Sequence, residues 1–144
     1  MKRKPKTRMD ATVTIIEATE LIAADKCGTS DPYCICGTIN SVTGEFKEVF
    51  RTPVIFKNCT PRWRHSGSCQ IPRGHDLAFH VYDYNQITSR IPLGHASLAV
   101  PWTGTPSEPK ESWLKLDGVP FGKLHVSVMF EPSKAKPSSP VAGR

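Results

Sequence analysis

No stretch of this chain approaches the roughly 18 consecutive apolar residues of a membrane-spanning helix, so no such span is expected. No apolar stretch follows the charged start, Met1-Lys2-Arg3-Lys4-Pro5-Lys6, as it would in a secretory leader, so the expected location is cytoplasmic. The five cysteines are an odd number, and none stands in a Cys-x-x-Cys spacing. Zinc sites favour that spacing and a disulfide framework needs an even count, so buried free thiols are expected instead. Gly-x-Ser-x-Gly, a phosphate-binding glycine loop and a His-Glu pair at metalloprotease spacing are all missing. The five histidines scatter over strands and turns, and an enzyme is not expected. There is no convincing amphipathic helix and no internal repeat.

What the chain does have is strand pattern. Its 144 residues, 38% hydrophobic and 22% charged, match one globular domain able to bury a core. Leu77, Phe79 and Val81 alternate with Ala78, His80 and Tyr82, and Leu124, Val126, Val128 and Phe130 with the residues between them. Period two marks half-buried strands. Similar segments at 12–18, 33–39, 47–56, 64–71, 93–100 and 112–116 bring the expected number to eight. Between them stand breakers such as Gly28-Thr29-Ser30-Asp31-Pro32, Pro72-Arg73-Gly74 and Asp117-Gly118-Val119-Pro120. The 13 prolines fit, because proline is excluded from central strands. The predicted fold is all-β, an eight-stranded antiparallel sandwich.

Charge divides the chain further. Residues 1–10 hold five basic side chains against one acidic, and residues 131–144 three against one. Residues 11–130 hold eleven of each, so the formal charge of +6 belongs to the ends. The expected organisation is a basic arm over 1–10, a sandwich over 11–130 and a Pro/Ser-rich tail over 131–144. Basic ends attract a membrane surface or nucleic acid. Nucleic acid is disfavoured, because no aromatic stacking surface is interleaved with the charge. Inside the neutral body, residues 47–73 carry six basic side chains against Glu48. Lys47, Arg51 and Lys57 are the candidates there; the plain alternative is a solvated strand face. Arg51 and Lys57, six residues apart, would share one face of an extended segment.

Asp25 and Asp31 lie six apart in one connection, Asp83 and Asn85 two apart in another. An Asp in a loop is ordinarily a turn former. Sandwich loops converge at the ends, however, and calcium takes about six to eight oxygen ligands, several of them carboxylates.

The wording around these residues resembles the C2 domain family. Leu21-Ile22-Ala23-Ala24-Asp25-Lys26-Cys27-Gly28-Thr29-Ser30-Asp31-Pro32-Tyr33 is similar to that family's first calcium loop. Thr60-Pro61-Arg62-Trp63, then Val81-Tyr82-Asp83-Tyr84-Asn85 with Leu93-Gly94, then Trp113-Leu114-Lys115-Leu116 and Gly122–Val128 follow in the family's order. The resemblance covers residues 11–130 and implies the permutation in which this first strand opens the domain (type II-like).

The resemblance also implies end loops that bind calcium and dock on phospholipid. Of five acidic positions, Asp25, Asp31 and Asp83 match; Asn85 takes the fourth, and the fifth falls on Ile91 beside Arg90. Affinity follows ligand charge, so at most one weakly held calcium ion is expected. Arg90 is expected near the carboxylates, supplying part of the ion's charge. Arg51, Tyr33 and Tyr82 fall on positions of a groove that binds phosphoinositides in many members, although Pro53 replaces another basic position. Ile87, Arg90 and Ile91 are the candidate membrane-loop residues, the two isoleucines as apolar tips. The reading is a peripheral membrane-binding module for phosphatidylserine or phosphoinositide, with weak or absent calcium dependence. The alternative is a calcium-independent protein-interaction module that offers its Pro-rich tail to a partner.

Overall fold

The computed structural model describes residues 8–22, 30–84 and 90–133. Eight strands follow one another: β1 (Arg8–Thr19), β2 (Pro32–Asn40), β3 (Phe46–Arg51), β4 (Arg62–Pro72), β5 (His75–Asp83), β6 (Ile91–Leu98), β7 (Lys110–Lys115) and β8 (Lys123–Pro132). They form two antiparallel sheets, ordered β4-β1-β8-β7 and β3-β2-β5-β6. The alternating residues meet between them: Val13 and Ile15, Leu77, Phe79 and Val81, and Leu124, Val126, Val128 and Phe130 are all buried. Each such side chain contributes roughly 1.5–3 kcal/mol on leaving water. Trp63 on β4 reaches across the core, and its indole N–H donates to the Pro32 carbonyl of β2 at 3.3 Å. Cys34, Cys36 and Cys69 are buried free thiols and Cys59 is half-buried; Cys27 lies outside the described residues.

Three boundaries bear on the organisation expected from the sequence. Arg8, Met9 and Asp10, expected in the arm, pair with Pro72, Ile71 and Gln70, and Met9 is buried. At the other end β8 runs through Pro132, and the Ser133 N–H donates to the Arg8 carbonyl at 3.1 Å. Residues 1–7 and 134–144 lie outside the described residues. Third, β3 stops at Arg51 instead of running to Phe56. Thr52 turns into the sandwich, its Oγ1 accepting the Cys34 N–H and its own N–H donating to the Cys34 carbonyl, both at 2.9 Å. Pro53 has no N–H to continue a ladder. Lys57 then adopts a left-handed conformation, φ 51°. Arg51 and Lys57 therefore do not share an extended segment, and their expected common face does not exist.

A bulge reshapes the β2–β3 pair. Cys36 stands opposite Phe50 but Gly37 opposite Glu48, so Val49 is the extra residue. The strands come so close here that a Cβ on Gly37 would lie 2.0 Å from the Lys47 carbonyl oxygen. Only glycine fits. The connections β1–β2, β3–β4, β5–β6 and β7–β8 all leave the sandwich at one end.

Candidate functional site

Asp31 and Asp83 meet at that end. The Asp31 N–H donates to Asp83 Oδ1 at 2.7 Å, and the Lys57 N–H donates to Asp31 Oδ1 at 2.7 Å. The Tyr84 N–H donates to the Asp31 carbonyl at 2.8 Å. The two carboxylates thus pin the β1–β2 and β3–β4 connections to the end of β5. Asp83 is buried, and hydrogen bonding to a backbone N–H is what makes a buried charge tolerable. Asp25, Asn85 and Ile87 lie outside the described residues. Among the described residues no three His, Cys, Asp or Glu side chains gather as a metal site. Two carboxylates bonded to backbone amides fall short of a calcium shell, which takes about six to eight oxygens.

Arg90, expected beside these carboxylates, is elsewhere: its guanidinium lies over the Tyr82 ring, 4.0 Å from the centroid. Successive strand residues face opposite ways, so Tyr82 presents the outer face of its sheet while Asp83 turns inward. Ile91 is exposed at the start of β6. The same end carries aromatics that the sequence reading missed. Phe56 is 62% exposed and meets Tyr84 edge-on at 6.2 Å, and Phe121 is exposed in the β7–β8 connection at the same end. Phe56 had the pattern of a strand residue; the turn at Thr52 frees it.

On the outer face of β3-β2-β5-β6 the rings form a continuous row. Tyr33 pairs with Tyr82 across β2 and β5, and their rings are 6.0 Å apart. The Arg51 guanidinium lies over Tyr33 at 5.4 Å. His80 stacks on Tyr82 at 6.0 Å and on His95 at 5.6 Å, and Phe46 packs against His80 at 4.3 Å. Burial, then the nearby His95 and Arg90, hold His80 below the ordinary histidine value. Arg51, Tyr33 and Tyr82 are brought together as expected, and Arg90 joins them. Lys47 does not: it stands opposite Thr38, on the other face of the β2–β3 pair from Arg51.

Glu48 takes its place. The bulge turns Glu48 onto the face of Arg51, and both carboxylate oxygens are used: Arg51 Nε donates to Oε2 and Nη2 to Oε1, each at 2.7 Å. The guanidinium holds the Glu48 carboxyl below its ordinary value. The sequence marked Glu48 only as the lone acid in a basic stretch.

The opposite sheet carries another cluster. His125 on β8 faces Glu17 Oε2 with Nδ1 and Glu111 Oε1 with Nε2, each at 2.9 Å. Both nitrogens can donate only in the imidazolium form. Partial burial opposes that charge, but the hydrogen bonds to Glu17 and Glu111 outweigh it and raise the His125 pKa. Trp113, half-exposed, stacks on the ring at 4.3 Å, and Arg62 pairs with Glu17 at 3.4 Å.

Comparison with known proteins places this geometry. The C2 domain model matches residues 9–116. RasGAP-activating-like protein 1 of Mus musculus is 29% identical over 108 residues, 74% of this chain but 13% of that protein. Ras GTPase-activating protein 4 of Homo sapiens is 30% identical over 87 residues, 60% of this chain and 10% of that protein. The chain therefore spans only a small part of these relatives. Among solved structures, a C2 domain of plant Extended Synaptotagmin 1 superimposes with a TM-score of 0.70 at 25% identity, covering 92% of this chain and all of that one. Human GIVD cytosolic phospholipase A2 gives a TM-score of 0.73 at 19% identity over 92% of this chain and 17% of its own, a likeness of fold alone. This chain, with its two four-stranded sheets and its Ser-Asp-Pro-Tyr loop, belongs to the C2 domain family.

Proposed function

We propose that this domain is a peripheral membrane-binding module for anionic phospholipid at the cytoplasmic face, and not a catalyst. The observation that carries the reading is the loop end, where exposed Phe56, Tyr84 and Ile91 stand beside Lys57 and Arg90. An apolar tip flanked by cations suits a surface that is greasy below and negative above. Each Lys or Arg near such a surface contributes about 1 kcal/mol, so five or six contacts hold the domain reversibly. Arg51, Arg90, Lys57 and the basic arm supply them. Calcium plays a minor part, with at most one weakly held ion. Phe56→Ser with Tyr84→Ser tests this: binding to phosphatidylserine vesicles should fall several-fold while the melting temperature holds. Unchanged binding would remove the loop end from the contact.

The second reading, a calcium-independent protein-interaction module, draws on half-exposed Trp113 on the opposite sheet. Exposed tryptophans are frequent anchors of protein interfaces.

A further inference from the structure

The outer face of β3-β2-β5-β6, with its row of rings and its two guanidiniums, carries its own anion. Glu48 fills the Nε/Nη2 edge of Arg51 with a bidentate pair, the geometry in which a guanidinium binds phosphate. We propose that Glu48 is the specificity-determining residue of this face: it admits multiply phosphorylated inositol headgroups and turns away singly charged phospholipids. The inference rests on the proposed reading of the domain as an anionic-lipid module.

The chemistry is an exchange. An incoming phosphodiester or carboxylate, as in phosphatidylserine, brings one charge to a site that already holds one. It gains nothing in charge over Glu48 and must sit beside the displaced carboxylate. A phosphomonoester carries about 1.5 to 2 negative charges and three acceptor oxygens, so it wins the same exchange. Glu48 is free to leave, because its side chain is 37% exposed and the released carboxylate is rehydrated. Arg90 lies over Tyr82 at the far end of the tyrosine pair, and its charge adds a little to that of Arg51 in favouring ionised Glu48. Two guanidiniums flanking Tyr33 and Tyr82 suit a ring with more than one phosphate. The pair is built into the backbone: without the bulge at Val49, Lys47 and not Glu48 would share the face of Arg51.

The test measures co-sedimentation with phosphatidylcholine vesicles carrying phosphatidylserine or phosphatidylinositol bisphosphate at matched surface charge, and calorimetry with free inositol trisphosphate. The native domain should prefer the bisphosphate vesicles. Glu48→Gln should raise phosphatidylserine binding more than bisphosphate binding and narrow the preference about fivefold, the upper worth of an exposed ion pair. Glu45→Gln, an exposed acid in the adjoining turn, removes the same charge and should leave the preference intact. Arg51→Gln should weaken bisphosphate binding and abolish any binding of the free trisphosphate. If Glu48→Gln only raises both affinities in proportion, as Glu45→Gln would, the inference is overturned and the membrane reading stands. If Arg51→Gln changes neither vesicle affinity, this face is not the headgroup site and the inference falls, while the membrane reading, carried by the loop end, stands; absence of native binding to every anionic vesicle would remove that reading itself. Failure of free inositol trisphosphate to bind any variant also overturns the inference, since the gate then selects no headgroup.

Discussion

Asp83 lies directly opposite Ile91 across β5 and β6, which makes Ile91 the natural place to restore a lost ligand. Ile91→Asp sets two like charges face to face, at a cost of about 0.2–1 kcal/mol in the metal-free protein. Millimolar calcium should recover that loss in thermal melts. The native domain should melt at the same temperature with and without micromolar calcium; a large rise would reveal a tight ion and contradict the charge count. Asp31 and Asp83 were legible because the wording around them, Ser30-Asp31-Pro32-Tyr33 and Val81-Tyr82-Asp83, resembles the family's end loops in order. Glu48 was not. Counting by twos along β3 keeps Lys47 with Arg51, and the bulge that breaks the count is fixed by Gly37 on another strand. A contact decided by two distant backbone segments cannot be read from the sequence of either one alone.

The strands themselves were readable wherever one face is buried, because alternation records burial. All eight expected strands are present, and only β1 and β3 move an end by more than two residues. β3 misleads because its residues are mostly exposed and its end is set by Thr52 bonding to Cys34. Gly37→Ala should push β3 off β2 and cost about 1–3 kcal/mol, the usual penalty of overpacking. Urea unfolding measures it; a loss under about 0.5 kcal/mol, the size of an ordinary surface change, would mean that the close approach relaxes easily. The other sheet is tied across β1, β8 and β7 by the Glu17–His125–Glu111 chain. Its histidine has a raised folded-state pKa, so it contributes stability that is complete below the unfolded value near 6.5 and is lost as pH rises through the folded value. Melting temperature should therefore decline above about pH 6.5, and His125→Gln should flatten that decline. An equal slope in the variant would assign it to other groups.

For the whole molecule, β1 begins at Arg8, inside the stretch expected to be the basic arm. Deleting residues 1–7 removes Lys2, Arg3, Lys4 and Lys6 and should weaken vesicle binding and its salt dependence without changing stability. Deleting residues 1–10 should also destabilise the sandwich, because Met9 is buried and Arg8–Asp10 pair with β4. Chemical denaturation of the two truncations distinguishes them; equal stability would mean that the first residues of β1 contribute little. The most direct test of the membrane reading is co-sedimentation of the native domain with phosphatidylcholine, phosphatidylserine and phosphoinositide vesicles, with calcium and with chelator, over a range of salt. Binding should be confined to the anionic vesicles, fall as salt rises and differ little between calcium and chelator. Absence of binding to every anionic composition would contradict the account and favour a protein partner.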